Sequence, residues 1–225
     1  MRVVLFGATG MVGQGVLREC LRSDTVSQVV CIGRTSLGMP HPKIDELVVE
    51  DLFRLDRIEG KLHSLDACFF CLGVSSNGMS EQDYRHLTHD LTLSVAGVLA
   101  RVNPGMTFVY VSGAGTDSSE RGRSMWARVK GATENALLRL PLKAYMFRPG
   151  VIVPLDGIRS KTPSYRVFYS VFGALLPPLQ QLFPSAMSTT RTLGLAMLEV
   201  ARNGATSPIL VAADIHAAAR TEEAR

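Results

Sequence analysis

Apolar positions along the chain fall into two rhythms. Short unbroken runs alternate with longer stretches in which apolar residues return every three or four positions. Residues 3–6 (Val-Val-Leu-Phe), 29–32, 46–49, 67–72, 108–111 and 144–147 are of the first kind, the pattern of strands buried on both faces of a parallel sheet. Helical spacing fills the intervals. From Ser80 to Val102, Leu87, Leu91, Val95, Val98 and Leu99 share one stripe, with Ser80 and Asp83 placed to cap the start. Residues 124–140 and 189–202 read as further helices, the second behind the cluster Ser188-Thr189-Thr190. Residues 208–211 form a short final strand, and 214–225 a helix or a frayed tail. Strands alternating with helices in this way predict an α/β protein: a doubly wound parallel sheet flanked by helices, as one domain over residues 1–225.

The turn after the first strand carries the first chemical signal. It reads Gly7-Ala8-Thr9-Gly10-Met11-Val12-Gly13 and leads directly into a helix. Gly7 permits a sharp exit from the strand, Gly10 lets backbone amides of the Thr9 to Val12 stretch approach a pyrophosphate, and Gly13 lets the helix lie close to the sheet. Phosphates would sit where free N–H groups and the positive end of the helix dipole converge. The plainer alternative is a tight turn that binds nothing.

In an open parallel sheet, ligands lie outside the carboxyl ends of the strands, so the residues following each strand are the remaining candidates. Arg34, after the second strand, offers a planar cation for the 2′-phosphate of NADP where an acidic residue would select NAD. Asp51 and Leu52 are expected to edge the adenine, and Leu72 and Gly73 to pass under the ribose. After the sixth strand, Arg148-Pro149-Gly150-Val151 turns the chain away from the sheet and opens the other half of the cleft, with Pro149 and Val151 as further cofactor contacts. Residues 151–187 then read as a lid or substrate wall, since 158–184 is rich in aromatic and aliphatic residues including Tyr165; a subunit contact, a membrane-surface anchor and a helix packed on the core are the alternatives.

Composition removes several function classes. The 225 residues suit one domain with a full core, and 46% hydrophobic with 20% charged content is ordinary for a globule. A net charge of +4 raises the question of nucleic acid, but the basic residues are scattered without interleaved aromatics, and an anionic small ligand accounts for them equally well. The four cysteines lie in apolar stretches, and Cys68 and Cys71 would face opposite ways on a strand, so buried thiols in a reducing cytoplasm are expected rather than a metal or redox pair. His86 and His89 read as satisfied polar side chains on a helix, and no metal is expected. Neither a signal peptide nor a membrane-spanning run is expected.

Six motifs in order, GATGMVG, IGRT, CLG, VSGAG, VKGATENALL and FRPGVI, make the chain resemble the short-chain dehydrogenase/reductase superfamily, and within it the atypical NAD(P)-binding proteins of the Tat-interacting oxidoreductase-like group. The resemblance implies a parallel Rossmann sheet, NADP as cofactor with NAD as the alternative, and reductase chemistry on a carbonyl or sugar-like small molecule. It also marks Lys130, Ser112 and Trp126 as the catalytic positions. In such enzymes a tyrosine four residues before the lysine gives the proton, its pKa lowered by the lysine's charge, and a serine orients the substrate oxygen. Lys130 matches and Trp126 does not, because an indole N–H donates a hydrogen bond but gives up no proton as a phenol does. Two readings follow: a reductase with another donor, such as Tyr84, Ser124, Tyr165 or a water, or an NADP-binding sensor or interaction module without hydride transfer.

Overall fold

Every apolar run predicted as a strand is found in one sheet. The computed structural model describes residues 1–155 and 187–225. In chain order the strands are β1 (Arg2–Phe6), β2 (Gln28–Gly33), β3 (Ile44–Val48), β4 (Ala67–Phe70), β5 (Thr107–Val111), β6 (Lys143–Arg148), β7 (Val151–Val153), β8 (Met187–Thr189) and β9 (Ile209–Val211). Seven of them form a parallel sheet in the order β3-β2-β1-β4-β5-β6-β9, while β7 and β8 pair in parallel as a separate two-stranded sheet. Phe6 of β1 lies beside Ile32 on one side and Phe70 on the other.

Helices cover both faces, as an all-parallel sheet requires. Helix α1 (Met11–Arg22) follows β1, α2 (Glu81–Arg85) and α3 (Leu91–Val102) follow β4, α4 (Met125–Leu137) follows β5, and α5 (Thr190–Asn203) and α6 (Ala212–Glu223) flank β9. A 3₁₀ segment, Leu52–Lys61, links β3 to β4. Alternate residues of the strands serve two cores. Val3, Leu5, Val29 and Phe69 pack with Val16, Leu193, Met197 and Ile215 on the side of α1, α5 and α6. Val4, Phe6, Val30, Phe70 and Phe108 pack with Leu55, Val95, Leu99 and Leu137 on the other side. The rings of Phe6, Phe70 and Phe108 form a row there, with centroids 5.5 and 5.8 Å apart. The tail is a helix rather than a frayed end, since Asp214 accepts from the Val211 amide at its start.

Two expectations are corrected. The third strand is not buried on both faces; β3 is the edge of the sheet, Val48 is 56% exposed, and the residues read as a buried run include the exposed Glu46. Leu87 is not on the buried stripe either. A π-helical turn, His86–Asp90, joins α2 to α3, and its extra residue rotates the helix so that Tyr84, Thr88 and Thr92 face inward and Leu87 is 41% exposed. Of the segment 151–187, only the ends, β7 and β8, fall among the described residues; the remainder of the expected lid, Tyr165 included, lies outside them.

Candidate functional site

Geometry explains each glycine of the first turn. Gly7 has φ +83°, a left-handed conformation that side chains disfavour, and a Cβ there would lie 2.9 Å from the carbonyl carbon and oxygen of Cys71. The Gly10 amide donates to the Gly7 carbonyl at 2.8 Å, closing the turn. A Cβ on Gly13 would stand 2.0 Å from that same carbonyl oxygen, so only glycine lets α1 start so close to β1. Cys71 follows β4, which means the turn meets the β4 end where the strand order reverses, between β1 and β4. That reversal is the crevice of a doubly wound sheet.

The start of α1 is left open. Gly10 at its N-cap makes no side-chain cap and the first turn holds no acidic residue, as is also true of α4 behind Ser124, whereas Ser80 caps α2, Thr189 caps α5 and Asp51 caps the 3₁₀ segment. Unsatisfied N–H groups and the positive dipole end therefore remain for a ligand. Thr9, Gly10, Met11 and Val12 are half-buried around this point.

The other strand ends vary in how free they are. Arg34, just beyond β2, is exposed, and no hydrogen bond or ion pair ties it among the described residues. The loop after it is fixed to β3, because Glu46 accepts from the Ser36 hydroxyl at 2.7 Å and from the Leu37 amide at 2.5 Å. Asp51 has one carboxylate oxygen engaged by the Phe53 amide at 2.9 Å, and Leu52 beside it is 6% exposed and packed into the core. Leu72 is half-buried, Gly73 exposed, Pro149 buried and Val151 exposed.

On the β5 and β6 side the sequence-marked residues do come together. The Ser112 and Ala114 amides donate to the Phe147 and Pro149 carbonyls at 2.9 and 2.8 Å, joining the two loops. The Ser112 hydroxyl donates to the Phe147 carbonyl at 3.0 Å and is buried, so it braces this junction instead of facing open space. Lys130 on α4 reaches the same strand end, donating to the carbonyls of Ser112 and, at 3.4 Å, Val111, with its Nζ 5.9 Å from the Tyr110 ring centre. Burial lowers its pKa from 10.5 to about 8, with the Glu134 carboxylate pulling the other way. Trp126, one turn earlier, packs on the loop: a Cβ on Gly115 would be 3.3 Å from its Cη2. Close approach of α4 depends on Gly131, whose Cβ would fall 1.8 Å from the Asp117 carbonyl oxygen.

Of the alternative donors, Tyr84 is 2% exposed, Ser124 is exposed at the start of α4, and Tyr165 lies outside the described residues. All four cysteines are free thiols; burial pushes Cys31 and Cys71 up to about 12 and Cys20 and Cys68 higher still. His89 bonds Asp90 at 2.8 Å while His86 stacks on Phe53 with ring centres 4.6 Å apart, and no metal-binding cluster occurs among the described residues.

Sequence reasoning did not single out the ion pair behind the site. Arg148, the last residue of β6, holds the Glu134 carboxylate with two nitrogens, Nε at 3.1 Å, and also reaches the Ser118 hydroxyl. Glu134 is 1% exposed. Its signal was in the motifs themselves: Glu134 stands four residues after Lys130, and Arg148 precedes Pro149.

No family model matches the chain. Protein HTATIP2 of Rattus norvegicus is 28% identical over 154 residues, covering 67% of this chain and 62% of that protein, so the match spans less than two thirds of the relative. Protein FMP52, mitochondrial, of Saccharomyces cerevisiae is 29% identical over 166 residues, covering 72% of this chain and 69% of its own length. Among solved structures, the Bordetella bronchiseptica enzyme WbmF in complex with NAD+ superposes with a TM-score of 0.66 at 16% identity, over 98% of this chain and 77% of that one. A short chain dehydrogenase from Burkholderia cenocepacia in complex with NADP gives 0.65 at 12% identity, over 93% and 87%. Strand order, glycine turn and these structural likenesses together show a Rossmann-type fold.

Proposed function

We propose that the chain binds NADP(H) in the cleft at the carboxyl ends of β1, β2, β4, β5 and β6, and is an oxidoreductase-like protein for a small or hydrophobic carbonyl substrate. The observation that carries this is the Gly7 to Gly13 turn at the strand-order reversal, with the start of α1 uncapped and without acidic residues. The glycines let the turn and the α1 start pack tightly on the protein's own backbone, and the uncapped amides this leaves at the α1 start fit a pyrophosphate. Gly7, Thr9, Gly10, Met11, Val12 and Gly13 would hold the phosphates, Arg34 the 2′-phosphate, Asp51 and Leu52 the adenine side, Leu72 and Gly73 the ribose, and Lys130, Pro149 and Val151 the nicotinamide side. Bound there, the nicotinamide supplies or accepts a hydride. The WbmF and Burkholderia structures are complexes with NAD+ and NADP respectively, which supports a nicotinamide dinucleotide. Arg34 is our reason for choosing NADP over NAD.

The chain's own proton chemistry supports a second reading, an NADP-binding sensor or interaction module with little turnover. Trp126 occupies the position of the proton donor and packs on Gly115, while the Ser112 hydroxyl is spent on the Phe147 carbonyl. Three buried free thiols fit a reducing compartment such as the cytoplasm. No helix among the described residues is long and apolar enough to cross a membrane.

Calorimetric titration with NADPH and NADH tests the binding reading. A charge-assisted contact at Arg34 contributes about 1.5–3 kcal/mol, or roughly 10- to 100-fold, so NADPH should bind tighter than NADH by that factor and Arg34→Ala should abolish the difference. Equal affinities would remove the NADP assignment. Binding of neither would remove the dinucleotide reading altogether.

A further inference from the structure

Behind the candidate nicotinamide side lies a buried pair of opposite charges that no step above uses. Glu134 sits one helical turn after Lys130 on α4, and its carboxylate is gripped by the fork of Arg148 at the end of β6. Glu134 is 1% and the Arg148 side chain 16% exposed. Arg148 immediately precedes Pro149 and Gly150, where the chain leaves the main sheet for β7. It also donates to Ser118 in the loop that α4 packs against at Gly131. One carboxylate thus ties together α4, the β6 exit and the loop after β5.

We propose that Glu134 is a positioning residue for the site: through Arg148 it anchors the Pro149 to Val151 turn, and on its own helix it supplies the negative charge that faces Lys130. The inference deepens the cofactor reading above and rests on it for its functional meaning. Its physical core does not depend on a ligand. Around the Lys130 ammonium the described groups are the Val111 carbonyl and Tyr110 ring on β5, the Ser112 carbonyl just after it, and the Glu134 carboxylate on α4, itself paired with the Arg148 cation from β6. The lone carboxylate among them opposes the effect of burial. A buried pair of this kind is weak evidence for stability, since hydrophobic replacements often serve as well. Keeping the half-buried Lys130 ammonium charged near neutral pH is a role such a pair can have.

The test follows the Lys130 side chain by NMR of its ε-methylene against pH, in ligand-free wild-type protein, in Glu134→Gln and in Glu134→Gln with Arg148→Met. Arg148 left unpaired in the single variant can unfold the chain, and the double variant removes that problem by making the pair neutral. The wild-type midpoint is expected at about 8. It should fall in both variants, and further in Glu134→Gln, where the Arg148 cation is left uncompensated, than in the double variant, which removes both charges. NADPH affinity should then weaken at pH 7.5 to 8 while the wild type still binds. A Lys130 midpoint unchanged in the folded variants overturns the proposal, even if their melting temperature drops, because a merely structural pair would alter stability alone. A shifted midpoint with no NADPH binding by any form would uphold the Lys130–Glu134 coupling and reject the cofactor reading.

Discussion

At the scale of single residues, what the site holds is separable from what it does. The proposed phosphate site needs only unpartnered backbone amides and close packing of the turn; the uncapped start of α1 offers the first, and Gly7 and Gly13 permit the second. Proton transfer needs a group of matched pKa at hydrogen-bond reach, and general acid–base help contributes roughly 10² to 10⁴ in rate. Trp126 offers none. The expected outcome is little NADPH oxidation by the wild type across a panel of aldehydes, ketones and quinones, with Trp126→Tyr gaining about 10²-fold, read as absorbance loss at the nicotinamide band. Brisk wild-type turnover would reject the sensor reading and point to another donor. Residue identities of this kind were legible in the sequence. Their partners were not: that Ser112 spends its hydroxyl on Phe147, or that Glu134 meets Arg148, depends on strands β5 and β6 lying side by side, a relation between distant positions that periodicity does not encode.

Elements were legible where burial is two-sided and obscured where it is not. The central strands appeared as unbroken apolar runs because both faces are covered, while β3 mixes Asp45 and Glu46 among its apolar residues because it is the sheet edge. The helix after β4 followed the expected period until the π turn at His86–Asp90 moved Leu87 out and Thr88 in. Close packing of helices left a subtler trace. A Cβ on Gly15 of α1 would lie 2.5 Å from the Thr190 Cβ, and one on Gly194 of α5 would lie 2.8 Å from Glu19 Cγ, so these glycines set the α1–α5 approach rather than the phosphate turn. Gly15→Ala should therefore cost about 1–3 kcal/mol in urea denaturation through overpacking, with NADPH affinity in the folded variant unchanged. An affinity loss larger than the stability loss would mean that the α1 start shifts with the α5 contact.

For the molecule as a whole, topology places every candidate on one edge of the sheet. The order β3-β2-β1-β4-β5-β6-β9 follows from parallel strands joined by covering helices, and it brings the ends carrying Gly7, Arg34, Leu72, Ser112 and Pro149 into a single row. That much the alternation of strands and helices already foretold. The opposite edge has its own shallow polar depression, lined by Met1, Asp66, Gly105, Thr107, Lys143, Ala201 and Arg202. Amide hydrogen exchange with and without saturating NADPH distinguishes the two edges in one measurement. Slowed exchange is expected at residues 7–13, 33–36, 72–73, 112–116 and 149–151, with the Met11 to Gly13 amides gaining the most protection. Protection confined to the edge of Met1, Asp66 and Arg202, or no protection anywhere, would contradict a dinucleotide cleft built on the first glycine turn.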